Sequence, residues 1–350
     1  MSVVNVGVIG LGTIADSHLQ SYKDSAGSDL VAVCDIDSPR AHRRAGEYAV
    51  PKVYTDYRQL LADDQVHAVS ICTRNDTHAD IVMAALDAGK HVLIEKPMTA
   101  TLAEAEAVMA AASAGSAKLQ VAYVRRFSPN AQVLRKFIDA GDLGEIYYAK
   151  ASCLRRVGNP GGWFADKALS GGGPLIDLGV HFIDICWYLM GCPEVASVSG
   201  SVFHKIGNRA NVAHYSRYLS ADYDPQRNTV EDLATALVKF RNGATLHFDT
   251  SYSMHGQDEV KVQLFGDKGG AQLEPELKLF TEKHDTLLNI APQIDSLTFD
   301  NIAYRNEIEH FLATVRGDAE EAAPAAHGLE LMKIISAIYE SSETGREVVF

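Results

Sequence analysis

Cysteine is scarce in this sequence, and basic charge is in deficit. The five cysteines (Cys34, Cys72, Cys153, Cys186 and Cys192) are odd in number, scattered, and form no C-x-x-C pair. That pattern argues against a disulfide framework and a structural zinc site, and it fits a reducing, cytoplasmic compartment. Lysine and arginine total 32 against 45 aspartates and glutamates, a formal net charge of −13. No nucleic-acid partner is expected on that balance, because a phosphate backbone is bound by a basic footprint. No apolar run approaches the ~20 residues that span a bilayer, so no membrane partner is expected either. The first ten residues have no basic stretch followed by a long apolar one, and are not read as a signal peptide.

What the chain has is apolar material in quantity. Hydrophobic residues make up 47% of its 350 positions and charged residues 22%, enough for sizeable cores and, at this length, for two domains. Over residues 3–124, short Val/Ile-rich runs (3–9, 30–34, 67–72, 91–94 and 119–124) alternate with helical stretches such as 79–88 and 102–114. Several runs are apolar on both faces, as buried parallel strands are, and glycines (Gly89, Gly115) follow the helices as stops. The alternation predicts βαβ units in a doubly wound sheet. After residue 124 the pattern changes. Helices are predicted at 129–140, 175–190, 303–316 and 327–343, and strands at 146–154, 234–240, 245–252, 260–265 and 278–281. A hairpin turn is expected at Asn242-Gly243. An antiparallel or mixed sheet with helices on one face is expected there, with residues 203–228 as a long loop or insertion. The domains divide as 1–122 and 123–350.

Gly10-Leu11-Gly12-Thr13-Ile14-Ala15 follows the first strand and opens a helix. Gly10 permits a tight turn and Gly12 lets a pyrophosphate approach the backbone. Ala15 keeps helix and strand close, and the helix N-terminus, with Thr13 and Ile14, offers unpaired N–H groups to phosphates. Asp35 ends the second strand and can accept hydrogen bonds from both adenosine ribose hydroxyls while repelling a 2′-phosphate, so NAD is expected over NADP. Two alternatives stand beside this. Asp35 also fits a strand-end turn, and Arg40, Arg43 and Arg44 could restore NADP binding or simply form a solvated helix face.

Glu95, Lys96 and Pro97 close an apolar strand at the sheet edge where ligands of such folds collect. A lysine held there by the proline can hydrogen-bond a substrate hydroxyl and stabilise developing alkoxide charge. Further on, Asp177, His181 and Asp184 lie at i, i+4 and i+7 on an otherwise apolar helix, after Gly171, Gly172 and Gly173, which would let backbone pass close to a ligand. A satisfied polar cluster in the core explains that stripe as well. So would metal ligation, with His204 or His214 as a third ligand, but neither spacing is convincing and no metal is expected.

In order along the chain stand Gly10-x-Gly12-x-x-Ala15, Thr73-Arg74-Asn75-x-x-His78, Ala88-Gly89-Lys90-His91-Val92-Leu93-x-Glu95-Lys96-Pro97 and Gly172-Gly173-x-x-x-Asp177-x-Gly179-x-His181. Together they resemble the Gfo/Idh/MocA family of glucose–fructose oxidoreductase and inositol dehydrogenase-like enzymes, over nearly the whole chain. The resemblance implies an α/β protein: an N-terminal Rossmann domain with a doubly wound parallel sheet, then an α+β domain with a large open, mostly antiparallel sheet that often mediates dimers or tetramers. It implies that Asp177 and His181 form an acid/base pair and that Lys96 bonds both the reacting oxygen and Asp177. It also implies that the loop with Thr73, Asn75 and His78 lies beside the cofactor, together with Glu95. Helix capping by residues 75–77 is the other reading of that loop, and both can hold, because a cap and a binding loop occupy the same place. Arg125 falls in the segment that borders the substrate in the family. Arg156, Trp163 and Lys167 are expected to help line the pocket, Trp163 against a sugar's C–H face, although the arginines could equally pair with the protein's own acids.

The expectation is an NAD-dependent dehydrogenase oxidising a secondary hydroxyl of a sugar or cyclitol. A cofactor-recycling glycosidase or epimerase and a non-catalytic sugar or dinucleotide sensor are the alternatives. In the dehydrogenase reading, Lys96 and His181 meet over the nicotinamide ring.

Overall fold

The structure is a computed structural model that describes residues 2–212, 219, 224–294 and 299–350. The chain divides into two compact units, Met1–Ser128 with Leu297–Met332, and Pro129–Ser296 with Lys333–Phe350.

The first unit is built on β1 (Val4–Ile9), α1 (Ala15–Asp24), β2 (Ser28–Cys34), α2 (Ser38–Tyr48), β3 (Lys52–Tyr54), α3 (Tyr57–Leu61), β4 (Ala68–Ile71), α4 (His78–Asp87), β5 (His91–Glu95), α5 (Leu102–Ala114) and β6 (Leu119–Ala122). The strands form one parallel sheet in the order β3-β2-β1-β4-β5-β6. Every residue of β4 and β6 is buried, which is why these strands read as continuous apolar runs rather than alternating ones. Strand order reverses between β1 and β4, and ligands of open α/β sheets bind outside the strand C-termini at such a point. The short β3 lies next to β2 at the sheet edge; three residues carry too little periodicity to mark it beforehand.

A helix from far down the chain completes this core. Ile308, Phe311 and Leu312 of the helix Phe299–Arg316 are fully buried among Leu19, Tyr22, Val4 and Leu30. The Asn306 amide also donates to the Phe127 carbonyl (3.1 Å). The last helix, Ala325–Thr344, counts with the first unit up to Met332 and with the second beyond it.

The second unit begins with α6 (Pro129–Asp139) and continues through β7 (Ile146–Leu154), α7 (Lys167–Ser170), α8 (Val180–Leu189), β8 (Val195–Phe203), β9 (Leu233–Phe240), β10 (Thr245–Ser251), β11 (Glu259–Gly266), β12 (Gly270–Glu274), β13 (Lys278–Lys283), β14 (Thr286–Ile290) and β15 (Val348–Val349). They make a nine-stranded sheet, β14-β13-β12-β11-β7-β10-β9-β8-β15, in which β10 and β7 run parallel and the other pairs antiparallel. Burial alternates along β9 and β10, so one face is core and the other is partly open. The hairpin between them turns at Gly243 (φ 88°) with the Asn242 side chain capping the Ala244 amide (3.1 Å), as its sequence requires. The covering helix α8 packs on β7, β10 and β11. Among the described residues no helix is long and apolar enough to cross a membrane.

Candidate active site

In the first unit the marked residues gather where strand order reverses. Gly10 follows β1 with φ 85°, and a Cβ on it would stand 2.7 Å from the carbonyl carbon and oxygen of Cys72, just past β4. Only glycine fits that turn. At Gly12 the situation is the opposite: a Cβ would have nothing within 4 Å, so bare backbone faces open space ahead of α1. Thr13 is exposed there and Ile14 half-buried, while Ala15 is fully buried at the start of the helix. A closed turn, an open backbone and a helix N-terminus together suit a pyrophosphate.

Asp35 is only 7% exposed, and both its oxygens are engaged. They accept the Leu11 and Asp37 amides (2.8 Å each) and the fork of Arg40 (Nε and Nη2, 2.9 Å each). Arg44 turns instead to Asp16 and Glu47, and Arg43 lies 3.8 Å from Glu47. Beside Asp35 stands Ile36, 89% exposed, an apolar side chain that the motif reading passed over.

The loop after β4 is tied to the turn after β5. His78 is fully buried, with Nδ1 2.8 Å from the Pro97 carbonyl and Nε2 3.1 Å from the Thr73 carbonyl. Burial lowers its pKa, so the ring is neutral and donates from one nitrogen at a time. Thr73 is half-buried and its hydroxyl accepts from Thr77 (2.8 Å). Asn75 is buried in a short 3-10 turn. Thr77, at the N-cap of α4, makes no side-chain cap.

Lys96 is half-buried and joined to Pro97 by a cis peptide bond. Glu95 turns inward. One of its oxygens accepts the Lys96 amide (3.1 Å) and the other lies 2.9 Å from Nε2 of His18 on α1. His18 is fully buried, with Nδ1 3.2 Å from the Ser70 hydroxyl, which in turn meets Tyr22 (2.7 Å). Burial disfavours the His18 imidazolium, but the Cys72 sulfur and Glu95 carboxylate beside it outweigh that and hold its pKa well above the ordinary value. Nothing in the motif reading marked His18. Its signal was a histidine on the same helical face as Ala15, Leu19 and Tyr22, one turn into α1.

In the second unit, Leu175–Gly179 form a single π-helical turn leading into α8, and this turn carries Asp177. Asp177 is half-buried and accepts a 2.7 Å hydrogen bond from Tyr252, just beyond β10. Burial and the neighbouring carboxylate push the Tyr252 pKa far up, so the phenol stays protonated and keeps donating. His181, one turn on, is half-buried, whereas Asp184 is enclosed in the core. The polar stripe therefore divides, and the core explanation applies to Asp184. Gly179, between the two site residues, lets the helix lie on β10, since a Cβ there would come within 2.8 Å of Phe248.

Two of the three glycines before this helix are closely packed by the protein itself. A Cβ on Gly172 would collide with the Tyr339 hydroxyl, and one on Gly173 would stand 2.6 Å from the Glu231 carbonyl oxygen. The carboxylate of Glu231 anchors the turn: it accepts the Gly173 amide (2.9 Å), the Leu175 amide (3.1 Å) and the Tyr339 hydroxyl (3.0 Å).

The remaining expected positions are more dispersed. Arg125 is half-buried. Its neighbour Arg126 is fully buried, donating to the Ala322 carbonyl (2.6 Å) and lying 3.0 Å from Nδ1 of His327. Burial and that guanidinium hold the His327 pKa down to about 4. Arg156 is exposed, with its amide on Asp258 (2.6 Å). Trp163 stacks on Phe164 with ring centroids 3.9 Å apart. The exposed Lys167 puts its ammonium 5.4 Å from the centre of the Tyr339 ring. Among the described residues no cluster of three His, Cys, Asp or Glu side chains could hold a metal ion; His204 is exposed, and His214 lies outside the described residues.

Comparison with known proteins bears on the same residues. Residues 4–123 match the oxidoreductase family with an NAD-binding Rossmann fold, and residues 135–350 match that family's C-terminal alpha/beta domain. The chain belongs to the Gfo/Idh/MocA oxidoreductase family. It is 34% identical to the D-glucoside 3-dehydrogenase of Escherichia coli K12, over 99% of this chain and 97% of that one. It is 30% identical to the scyllo-inositol 2-dehydrogenase (NAD(+)) of Bacillus subtilis 168, over 89% and 86%. Among solved structures, an oxidoreductase domain protein from Kribbella flavida superimposes with a TM-score of 0.88 at 27% identity, covering 100% of this chain and 99% of that one. As a Gfo/Idh/MocA member the protein is an oxidoreductase whose first unit carries the family's NAD-binding sheet, and its two sheets have the expected topologies.

Proposed function

We propose that the protein is a sugar or cyclitol dehydrogenase that oxidises a secondary hydroxyl with NAD, with D-glucosides the first substrates to try. The observation that carries this reading is the presence in one chain of the glycine-closed dinucleotide turn, the strand-end Lys96, and Asp177, held by Tyr252, one helical turn before His181. Bound at that turn, NAD supplies the hydride acceptor. Gly10, Gly12, Thr13 and Ile14 present backbone to its phosphates and Asp35 takes its adenosine ribose, with Ile36 as an apolar rest for adenine. Thr73, Asn75, His78 and Glu95 shape the loops that border it.

Lys96 donates a hydrogen bond to the substrate oxygen and favours the alkoxide character that develops as hydride leaves. His181 accepts the hydroxyl proton, a task suited to an imidazole at neutral pH. Asp177, fixed by Tyr252, orients the polar groups around that proton. Arg125, Arg156, Trp163 and Lys167 contact the sugar. Residues 1–122 serve the cofactor and 123–350 serve substrate and self-assembly, as a cytoplasmic homodimer or homotetramer.

A panel of glucosides, free sugars, inositols and sugar acids, followed at 340 nm with NAD, tests the reading. NADH is expected to accumulate in proportion to a 3-keto or inosose product. Lys96→Ala and His181→Ala should each lower kcat at least 100-fold while NADH binding persists. Substrate turnover without net NADH would replace this reading with cofactor recycling. NADH binding without any turnover across the panel would replace it with a sensor.

A further inference from the structure

Two buried histidines hold the turn that carries Lys96, one on each side of it. His78 reaches the residue after Lys96, with Nδ1 2.8 Å from the Pro97 carbonyl. His18 reaches the residue before it, with Nε2 2.9 Å from Glu95 Oε1, while Glu95 Oε2 accepts the Lys96 amide (3.1 Å). The buried Glu95 carboxylate is thus a bridge between a ring on α1 and the backbone of Lys96. The ring is itself fixed. It is fully buried, Nδ1 lies 3.2 Å from the Ser70 hydroxyl on β4, and Tyr304 of the helix Phe299–Arg316 tilts against it with centroids 6.0 Å apart. Kept charged by Cys72 and Glu95 beside it, the ring donates from both nitrogens.

We propose that His18 is a positioning residue for Lys96, acting through the Glu95 carboxylate. A lysine ammonium stands at the end of a flexible four-carbon stem, so its place is set first by the backbone from which the stem leaves. Without the His18 donor, Glu95 would be a buried carboxylate left with one of its two hydrogen bonds. Such a group takes up a proton or turns to another donor, because a buried charge with too few partners is costly. Either response loosens the acceptor that fixes the Lys96 amide. The cost falls on rate, since a displacement of about 1 Å at a reacting group can lower turnover on the order of 100-fold. His18 is wholly enclosed and touches no substrate atom, so the effect travels through Glu95 alone.

The inference rests on the role given to Lys96 in the proposed function. Initial rates of NADH formation, with the sugar or inositol that the wild type oxidises, are measured for His18→Asn, His18→Gln, Lys96→Ala and the double variant His18→Asn/Lys96→Ala. The Asn amide can replace Nδ1 towards Ser70 but stops short of Glu95, whereas the Gln amide can donate from the place of Nε2. His18→Asn should therefore lower kcat at least ten-fold with KM within three-fold, and His18→Gln should stay within three-fold of wild type. In the double variant kcat should lie within three-fold of Lys96→Ala alone, because a residue that works through Lys96 then has nothing left to place. Glu95→Ala breaks the same bridge from its other end and carries the comparison if His18→Asn does not fold. Equal losses in the Asn and Gln variants, or a double variant more than three-fold below Lys96→Ala, overturn the role of His18. If Lys96→Ala keeps the wild-type kcat, the role proposed for Lys96 falls first and this one with it. A wild type that oxidises nothing on the panel overturns both.

Discussion

Replacing Glu231 by alanine should unfold the second unit far more easily than an average substitution does. Its side chain is 2% exposed and holds three donors: the Gly173 and Leu175 amides and the Tyr339 hydroxyl. Hydrogen bonds to a charged acceptor contribute ~1.5–3 kcal/mol each, and stranded buried donors cost about as much. Water entering the vacated space recovers part of the sum, so a loss of about 4 kcal/mol is expected. Glu231→Gln retains one acceptor oxygen and turns an amide towards the donors, for roughly 2 kcal/mol. Tyr339→Phe removes a single donor, for roughly 1 kcal/mol. Both tryptophans, Trp163 and Trp187, belong to the second unit, so urea unfolding followed by tryptophan fluorescence reads this unit directly. The order Ala, then Gln, then Phe is the signature of the carboxylate as anchor. A Glu231→Ala protein within 1 kcal/mol of wild type would refute the reasoning, since the turn before Asp177 would then be holding itself.

The two glycines of the dinucleotide turn should respond differently to a methyl group. Gly10→Ala must take both a positive φ and a clash with Cys72, so thermal unfolding should fall by several degrees and NADH binding should vanish. Gly12→Ala meets no protein atom, so its melting temperature should stay put while NADH affinity falls at least ten-fold, as titration would show. The His18–Glu95 pair gives a pH dependence. The folded-state pKa of His18 is raised, so its contribution to stability is complete below about 6.5 and drains away as pH rises through the folded value. The stability gap between wild type and His18→Gln, from urea midpoints at pH 6, 7.5 and 9, should therefore narrow with increasing pH. Lys167→Ala should raise KM for the sugar several-fold with kcat little changed, which initial-rate kinetics will show.

Much of this was legible because backbone physics leaves marks in sequence. The parallel strands announced themselves as doubly buried Val/Ile runs, and Asn242-Gly243 wrote its hairpin in two letters. Gly10 and Lys96-Pro97 lie at strand ends, where turn chemistry narrows the choice of residue. Other features were hidden because they depend on partners distant in the chain. The contact between Tyr252 and Asp177 spans 75 residues, and that between Glu95 and His18 spans 77. Neither has a local spacing to betray it. The triple glycine was legible as a close approach, but that Tyr339 and Glu231 pack against Gly172 and Gly173 was not, because both partners lie more than fifty residues away. The burial of Arg126 was hidden in the same way, since the Ala322 carbonyl and the neutral His327 that hold it inside lie about two hundred residues further on.

The helix Phe299–Arg316 has a consequence for how the protein comes into being. During synthesis the amino-terminal sheet leaves the ribosome early, but the wedge formed by Ile308, Phe311 and Leu312 follows only after some three hundred residues. Until then Leu19 and Tyr22 face water, and the nascent sheet must wait, half-clad, for the end of its own message. A fragment cut at Ser128 would remain in that waiting state, prone to clump unless the missing helix were supplied as a separate peptide.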